Sequence, residues 1–599
     1  MLAGSVLVLL VLSALQVLPP VDRLSSHVAP NAGDPVLITW ILEHQARALL
    51  DDPGSLYAAN IFFPEPAAIA WSDNLTAFVT PYLLAWLATG RNSVLAYNVV
   101  TFLGFAGSSV AVLLLARRLL RSPLAALVVA VAFSLAMARR SAVGHTQLAG
   151  FLFLPLTFSL LIDLVERRRV WTAVLAGLCI AALWYTAIYF FVLAVVVVPV
   201  FAVVWAIGER RSVDRRLLGL AAVAGLTTAL AVAPSLPPYL ELQQQSTFER
   251  IDEELLTIGT HSFGQPGSLV YRALDQVDQT GEGLDGFVGW TVVALSLVAL
   301  VGAAVDRRRR AGAPEPLAHD DPAPAAPPTW APDERRRRFA LPLAAACATG
   351  ALISLGPDDG VLSFPYEALR GLVPGLESAR ALNRFWVLPV LGISLLAGRG
   401  FERLVGGAPR RHVAASALVL VAILLAELFV RPGTAAVADG PAELAVNEAL
   451  ADRPEGVVTE LPVPTLPDYP YVLAIRQLRS LEDGFPRVEG YSGDAPAGLP
   501  EFLQATSTFP APSALDAMRQ AGVRHVVLHG ADEACVARYG PDELDAVLAE
   551  AAASPEVEDV RRVGRSAIVT LTEEPRGSAL AAIEPVPPLP RTTTSCERS

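Results

Sequence analysis

Apolar residues come in long blocks along most of this chain rather than in alternation. Runs rich in Ala, Val, Leu, Ile and Phe cover 2–19, 93–116, 123–138, 147–165, 170–187, 189–207, 217–234, 288–305, 339–355, 385–399 and 413–430. A helix needs roughly 20 apolar residues to cross a bilayer core, and a helix satisfies its own backbone groups there. The pattern therefore predicts a polytopic α-helical membrane protein with about eleven transmembrane helices. PYLLAWLATG (81–90) is too short to cross and reads as a helix lying in the interface. After residue 430 the pattern changes. GVVTELPV (456–463), RHVVLH (524–529) and AIVTLT (567–572) have strand character, and PDELDAVLAEAA (541–552) is helical. They predict a small α/β domain over 431–575, followed by a disordered tail over 576–599.

Arginine sets the orientation. With the N-terminus inside, Arg117, Arg118, Arg121, Arg167–Arg169, Arg210, Arg211, Arg215, Arg216, Arg307–Arg310, Arg335–Arg338, Arg410 and Arg411 all fall inside, as the positive-inside rule requires. Arg139 and Arg140 are the exception and fall outside. This gives a transmembrane domain over 1–430, a first outer loop at 20–92, a Pro/Ala-rich cytoplasmic linker at 306–338, and an extracytoplasmic C-terminal domain. The protein is expected in the cytoplasmic (inner) membrane as a multi-pass protein. The opening MLAGSVLVLLVLSALQVLPP lacks a basic n-region and a clean cleavage site, so it reads as an uncleaved span.

Composition agrees. Of 599 residues, 53% are hydrophobic and only 17% charged, where a soluble chain carries about 25% charged. The net charge of −12 arises from acids concentrated in the loops and tail, and the clustered arginines are a topology signal, so no nucleic-acid partner is expected. The four cysteines, Cys179, Cys347, Cys535 and Cys596, form no metal-ligand spacing. Cys535 and Cys596 are free to pair or not. No Walker, GxSxG or HExxH motif is present.

Three stretches carry a resemblance: GDPVLITWILEHQARALLDDPGSLYAANIFFPEPAAIAWSDN (33–74), SVLAYNVVTFLGFAGSSVAVLLLARRLL (93–120) and MARRSAVGHTQLAGFLFLPLTF (137–158). ESARALNRFWVLPVLGISLLAGRGFERL (377–404) adds a fourth. The chain resembles the GT-C superfamily of membrane glycosyltransferases, and within it the YfhO-like and glycosyltransferase-like bacterial membrane proteins. The resemblance implies a GT-C-like fold and a catalytic acid in the first outer loop, a position Asp34 matches. It also implies transfer of a sugar from a polyprenyl-phosphate carrier to an extracytoplasmic cell-envelope glycan or lipid acceptor. Many members carry a pair of acids where this chain has Asp34-Pro35, which leaves a divalent metal open.

The residues fit that chemistry. Glycosyl transfer needs a base for the acceptor hydroxyl and cations for the leaving phosphate. Asp34 is the candidate base, and it also reads as a helix N-cap with Pro35 at the first helical position. Arg139, Arg140, Arg380 and Arg384, with Asn383, are candidate phosphate ligands, and the first two also read as lipid-headgroup binders. His145 and Gln147 begin the following span and are candidates to orient acceptor or phosphate. Glu43 and Asp73 are candidate substrate contacts whose alternative is a solvated or bridging role. Trp184, Tyr185, Tyr189 and Phe190 read as an interfacial aromatic girdle. Two other functions stay open: a transporter or flippase of a lipid-linked glycan, for which acids inside spans such as Asp163 and Glu427 would matter, and a non-catalytic envelope accessory protein.

Overall fold

The computed structural model describes residues 2–140, 142–245, 286–311, 332–357, 364–373, 376, 379, 381–437, 441–464, 469–532 and 537–572. Each expected span overlaps a helix, but seven of the about eleven, rather than all, form helices that meet the length and hydropathy of a bilayer span among the described residues. Seven helices among the described residues are long and apolar enough to cross a bilayer: Ser93–Leu119, Thr146–Arg167, Ile188–Gly208, Arg215–Leu242, Trp290–Arg308, Leu382–Leu404 and Arg410–Leu428. Leu2–Val17, Pro123–Leu135 and Val170–Trp184 are shorter apolar helices, and Pro332–Ser354 carries four arginines in its first turns. The helix Thr76–Ala88, which contains most of the short 81–90 run, has 13 residues. At 1.5 Å per residue that is about 20 Å, too little for a bilayer core of about 30 Å.

The chain divides into two compact units. The first holds the described residues of Met1–Leu18, Thr101–Ser235 and Phe248–Gly433. Pro123–Leu135 is apolar nearly all round and buried from Ala125 onward, save Leu127, as a helix inside a bundle must be. Arginines at the loop ends of the helices meet carboxylates. Arg118 pairs with Asp163 at 2.8 Å, Arg335 with Glu166 at 2.5 Å, Arg338 with Glu209 at 2.7 Å and Arg403 with Asp306 at 2.5 Å. Glu427, the acid inside a span, accepts from the backbone N–H groups of Trp290 and Thr291. It caps a neighbouring helix whose first N–H groups have no intrahelical acceptor.

The second unit holds the described residues of Pro19–Val100, Leu236–Thr247 and Thr434–Ser599. The segment 20–92 thus folds with the C-terminal segment, whereas the sequence reading grouped it with the membrane part. The join begins in a short antiparallel ladder, His27–Val28 on Ala435–Ala436. A four-stranded sheet follows, in the order Val457–Leu461, Val523–Leu528, Ser566–Leu571, Val557–Val563. The first pair is parallel and the others antiparallel. Val446, Leu450, Val458, Phe485, Val527 and Ile568 form its core. Val557–Val563 is a strand the sequence did not announce. It is a charged edge strand, and charge is how an exposed edge avoids pairing with other chains. It turns back through Gly564 at φ +60°, the left-handed conformation a tight hairpin favours. Cys535, Cys596, Arg380 and the tail 576–599 lie outside the described residues.

Candidate functional site

In the first unit the buried helix Pro123–Leu135 stops short. Ala136 turns extended, and one helical turn, Met137–Arg140, follows. That turn puts Arg139 inside the protein, where it is 2% exposed. Its guanidinium lies over the rings of Phe105 and Phe133, 4.3 and 5.4 Å from their centroids. Among the described residues its one polar contact is long, Nη2 to the Phe105 carbonyl at 3.5 Å, and its Nε is buried without a hydrogen-bond partner. Among the described residues no carboxylate pairs with it.

Arg139 opens onto a cavity of about 30 Å³ shared with Asn383 and Arg384. Ala138, Ala142, Leu148, Phe190 and Val387 form its apolar walls. Asn383 and Arg384 sit in the 3-10 turn Leu382–Trp386 that leads into the helix Val387–Leu404. The Arg384 guanidinium lies 4.8 Å above the Tyr189 ring. So the fold brings together three of the candidate phosphate ligands, Arg139, Asn383 and Arg384, with Phe190 in the cavity wall and Tyr189 under the Arg384 guanidinium. The cavity has two guanidiniums, one amide and apolar walls. Such a lining suits a small anion.

Arg140 and His145 lie near this cavity in sequence but do not line it. His145 precedes the 3-10 helix Thr146–Leu152 and its carbonyl accepts from Leu148 N–H at 2.8 Å. Gln147 is buried, with its Oε1 unsatisfied.

Asp34, Glu43 and Asp73 belong to the second unit. The helix Asp34–Asp51 starts at Asp34 and has Gly33 as N-cap, not Asp34. Gly33 N–H is held by Asn31 Oδ1 at 3.1 Å. Asp34 is half-buried and its Oδ1 accepts from the Tyr491 hydroxyl at 2.6 Å. Tyr491 is a contact the sequence did not announce; its one local signal is the glycine-rich EGYSGD (489–494). Glu43 is 3% exposed and pairs with Arg47, Nη2 to Oε1 at 2.6 Å. Arg47 also binds Glu482 at 2.7 Å and the Leu481 carbonyl at 2.9 Å. Glu43 is therefore the buried end of an ionic tie between two helices, whose other end, Glu482, is exposed. Asp73 is half-buried beside Asn74, whose carbonyl accepts from Gln45 Nε2 at 2.6 Å.

A second buried polar cluster supports the segment carrying Tyr491. Glu460 accepts from His529 Nε2 at 2.8 Å and from Arg487 Nε at 3.2 Å. Burial opposes its charge, but His529 and Arg487 hold its pKa well below the carboxylate range. Glu489 accepts from Thr459 Oγ1 at 2.8 Å and from the Glu460 N–H. Burial, with the Glu460 charge beside it, raises its pKa to about 7. Among the described residues no group of three or more His, Cys, Asp or Glu side chains is arranged to hold a metal ion.

The chain belongs to a family described as a domain of unknown function, DUF6311, which matches residues 6–427. No curated protein matches it. Among solved structures it is similar to the arabinofuranosyltransferase AftD from Mycobacteria, at 16% identity and a TM-score of 0.52. The match covers 95% of this chain and 40% of AftD, so the chain spans well under half of that relative. A structure of a mutant of the same enzyme gives a TM-score of 0.55 at 16% identity, covering 95% of this chain and 41% of that one. The oligosaccharyltransferase AglB from Archaeoglobus fulgidus is matched at 13% identity over 88% of this chain and 69% of its own, with a TM-score of 0.42. The AftD likeness is one of fold.

Proposed function

We propose that this protein is an integral membrane glycosyltransferase that takes a sugar from a polyprenyl-phosphate donor and places it on a cell-envelope acceptor. One observation carries the reading: a buried Arg139, with no carboxylate partner among the described residues, opening onto a cavity shared with Arg384 and Asn383. A cation taken out of water without a counter-charge costs several kcal/mol, and a phosphate in the cavity would supply that charge. The fold shared with AftD, an arabinofuranosyltransferase, is in line with this.

In the reading, Arg139 and Arg384 hold the donor phosphate and stabilise the charge that grows on it as the glycosidic bond breaks. Asn383 orients a phosphate oxygen. Asp34 is the proposed base for the acceptor hydroxyl, and its role is tested separately. The transporter reading loses its main support, because Glu427 caps a helix rather than standing free in a span.

The test is complementation of a deletion strain with Arg139→Met and with Asp34→Asn, at matched protein level. Envelope glycans and polyprenyl-phosphate sugars are read by mass spectrometry. Loss of a glycan with accumulation of its lipid-linked donor is expected for both. Wild-type glycans and lipid pools in both would move the accessory reading to the front.

A further inference from the structure

We propose that Tyr491 is a positioning residue for Asp34, so that the C-terminal segment takes part in the chemistry. The proposal rests on the reading of Asp34 as the base. Asp34 opens its helix, where a carboxylate is drawn toward the free N–H groups of the first turn. Such a side chain has competing places to go. The Tyr491 hydroxyl, donating to Oδ1 at 2.6 Å, selects one of them. An O–H donated to a carboxylate at this distance is a strong, charge-assisted bond.

Tyr491 is itself held from several directions. Its backbone N–H donates to Gln477 Oε1 at 2.8 Å. The glycines near it allow close approach to the first outer loop. A Cβ at Gly490 would meet Ile61 at 2.9 Å and Phe62 at 3.0 Å, and one at Gly493 would meet the Trp71 carbonyl at 3.1 Å. Upstream, Arg487 N–H donates to the Asn60 carbonyl and its own carbonyl accepts from Phe63 N–H, both at 2.9 Å. Its guanidinium is fixed by Asp483 and Glu460. A segment pinned this closely presents one hydroxyl at one place. The ring of Tyr471 and the amide of Asn31 pack at Gly33 beside Asp34.

In the step, the acceptor hydroxyl gives its proton to Asp34. The acceptor oxygen bonds to the anomeric carbon, and the bond from that carbon to the phosphate oxygen breaks with its electron pair, leaving polyprenyl phosphate. Tyr491 does not transfer a proton. It fixes the carboxylate that does, because a hydroxyl donated to a carboxylate favours its charged form.

The experiment compares the full-length wild type with Tyr491→Phe and Asp34→Asn in membranes of the deletion strain. Those membranes supply the accumulated donor and the native acceptor, and transfer is followed as loss of the lipid-linked sugar from pH 5 to 9. Tyr491→Phe keeps the ring and its packing. It is expected to be about tenfold slower at its own optimum, with the acidic limb of its profile moved to higher pH. A 3-fluorotyrosine at 491, a stronger donor, is expected to move that limb to lower pH. If Tyr491→Phe keeps the wild-type rate and profile while Asp34→Asn is inactive, Asp34 stands and the proposal is overturned. If both 491 variants are slower with an unmoved limb, the role is only structural and the proposal is overturned. If Asp34→Asn is active, the reading of Asp34 falls, and the proposal with it.

Discussion

Replacing Arg139 with Met is expected to stabilise the ligand-free protein and to abolish transfer. The guanidinium is 2% exposed and has no carboxylate partner among the described residues. The effective penalty for such a buried charge is several kcal/mol. Two ring faces at 4.3 and 5.4 Å return part of it, at about 2 kcal/mol each when desolvated. The long contact to the Phe105 carbonyl adds little. The remaining deficit is about 1–3 kcal/mol. Met has similar length and no charge, so it relieves that deficit while filling the space. In thermal unfolding of the detergent-solubilised protein the midpoint should rise by about 1–5 °C. Added polyprenyl monophosphate should raise the wild-type midpoint, by linkage, and leave that of the Met variant unchanged. A Met variant that unfolds well below wild type would refute the reasoning, because Arg139 would then be a satisfied structural cation. A lipid-induced rise equal in both proteins would refute the assignment of the anion to this cavity.

Other expectations concern the supports of the site. Gly490→Ala puts a Cβ within 3.0 Å of Ile61 and Phe62, and should cost about 1–3 kcal/mol, read by hydrogen exchange in peptides spanning 57–65 and 485–494. Glu427→Gln should keep its transfer activity, because the amide oxygen still accepts from one of the two N–H groups that Glu427 caps, whereas Glu427→Ala should lose about 1 kcal/mol of stability; complementation by the Ala variant at reduced protein level checks this. Glu489 has a folded pKa of about 7 against a reference of 4.5. The folded state therefore binds more protons than the unfolded state between those values, and this group's contribution to stability falls as pH rises through that window. Glu489→Gln should flatten that fall, measured as pH-dependent protection of the Val457–Leu461 and Val523–Leu528 strands.

The seven long apolar helices were legible because their signal is local, whereas the expected count of about eleven was not, since the runs at Leu2–Val17, Pro123–Leu135 and Val170–Trp184 form shorter helices. A local signal also announced three strands of the tail, which read as β-branched runs. Val557–Val563 was not legible, since an edge strand coated in Glu, Asp and Arg resembles a solvated loop until its partner is known. The union of residues 20–92 with the tail was beyond sequence reasoning altogether. It depends on pairings such as His27 with Ala436 and Asp34 with Tyr491, separated by more than 400 positions along the chain. Asp34 illustrates the limit. Its sequence neighbours suggested a cap, but Gly33 holds that position, and the carboxylate is engaged by a residue no local pattern could nominate.

Arg139 was the case where the sequence said most, and it did so by breaking a rule. The other arginine blocks fit the one topology expected from the sequence, and several of those arginines are matched by an acid on a neighbouring helix, as Arg118 is by Asp163 and Arg335 by Glu166. That is how a chain keeps a structural cation at a helix end. Arg139 has aromatic faces instead, which attract a cation but do not neutralise it. A headgroup-binding arginine extends toward the interface, whereas this one is 2% exposed. Arg384 repeats the arrangement over Tyr189 and opens onto the same cavity. Two cations placed on rings rather than on carboxylates keep their charge available to a ligand. Phosphate is the anion that a polyprenyl donor would bring there.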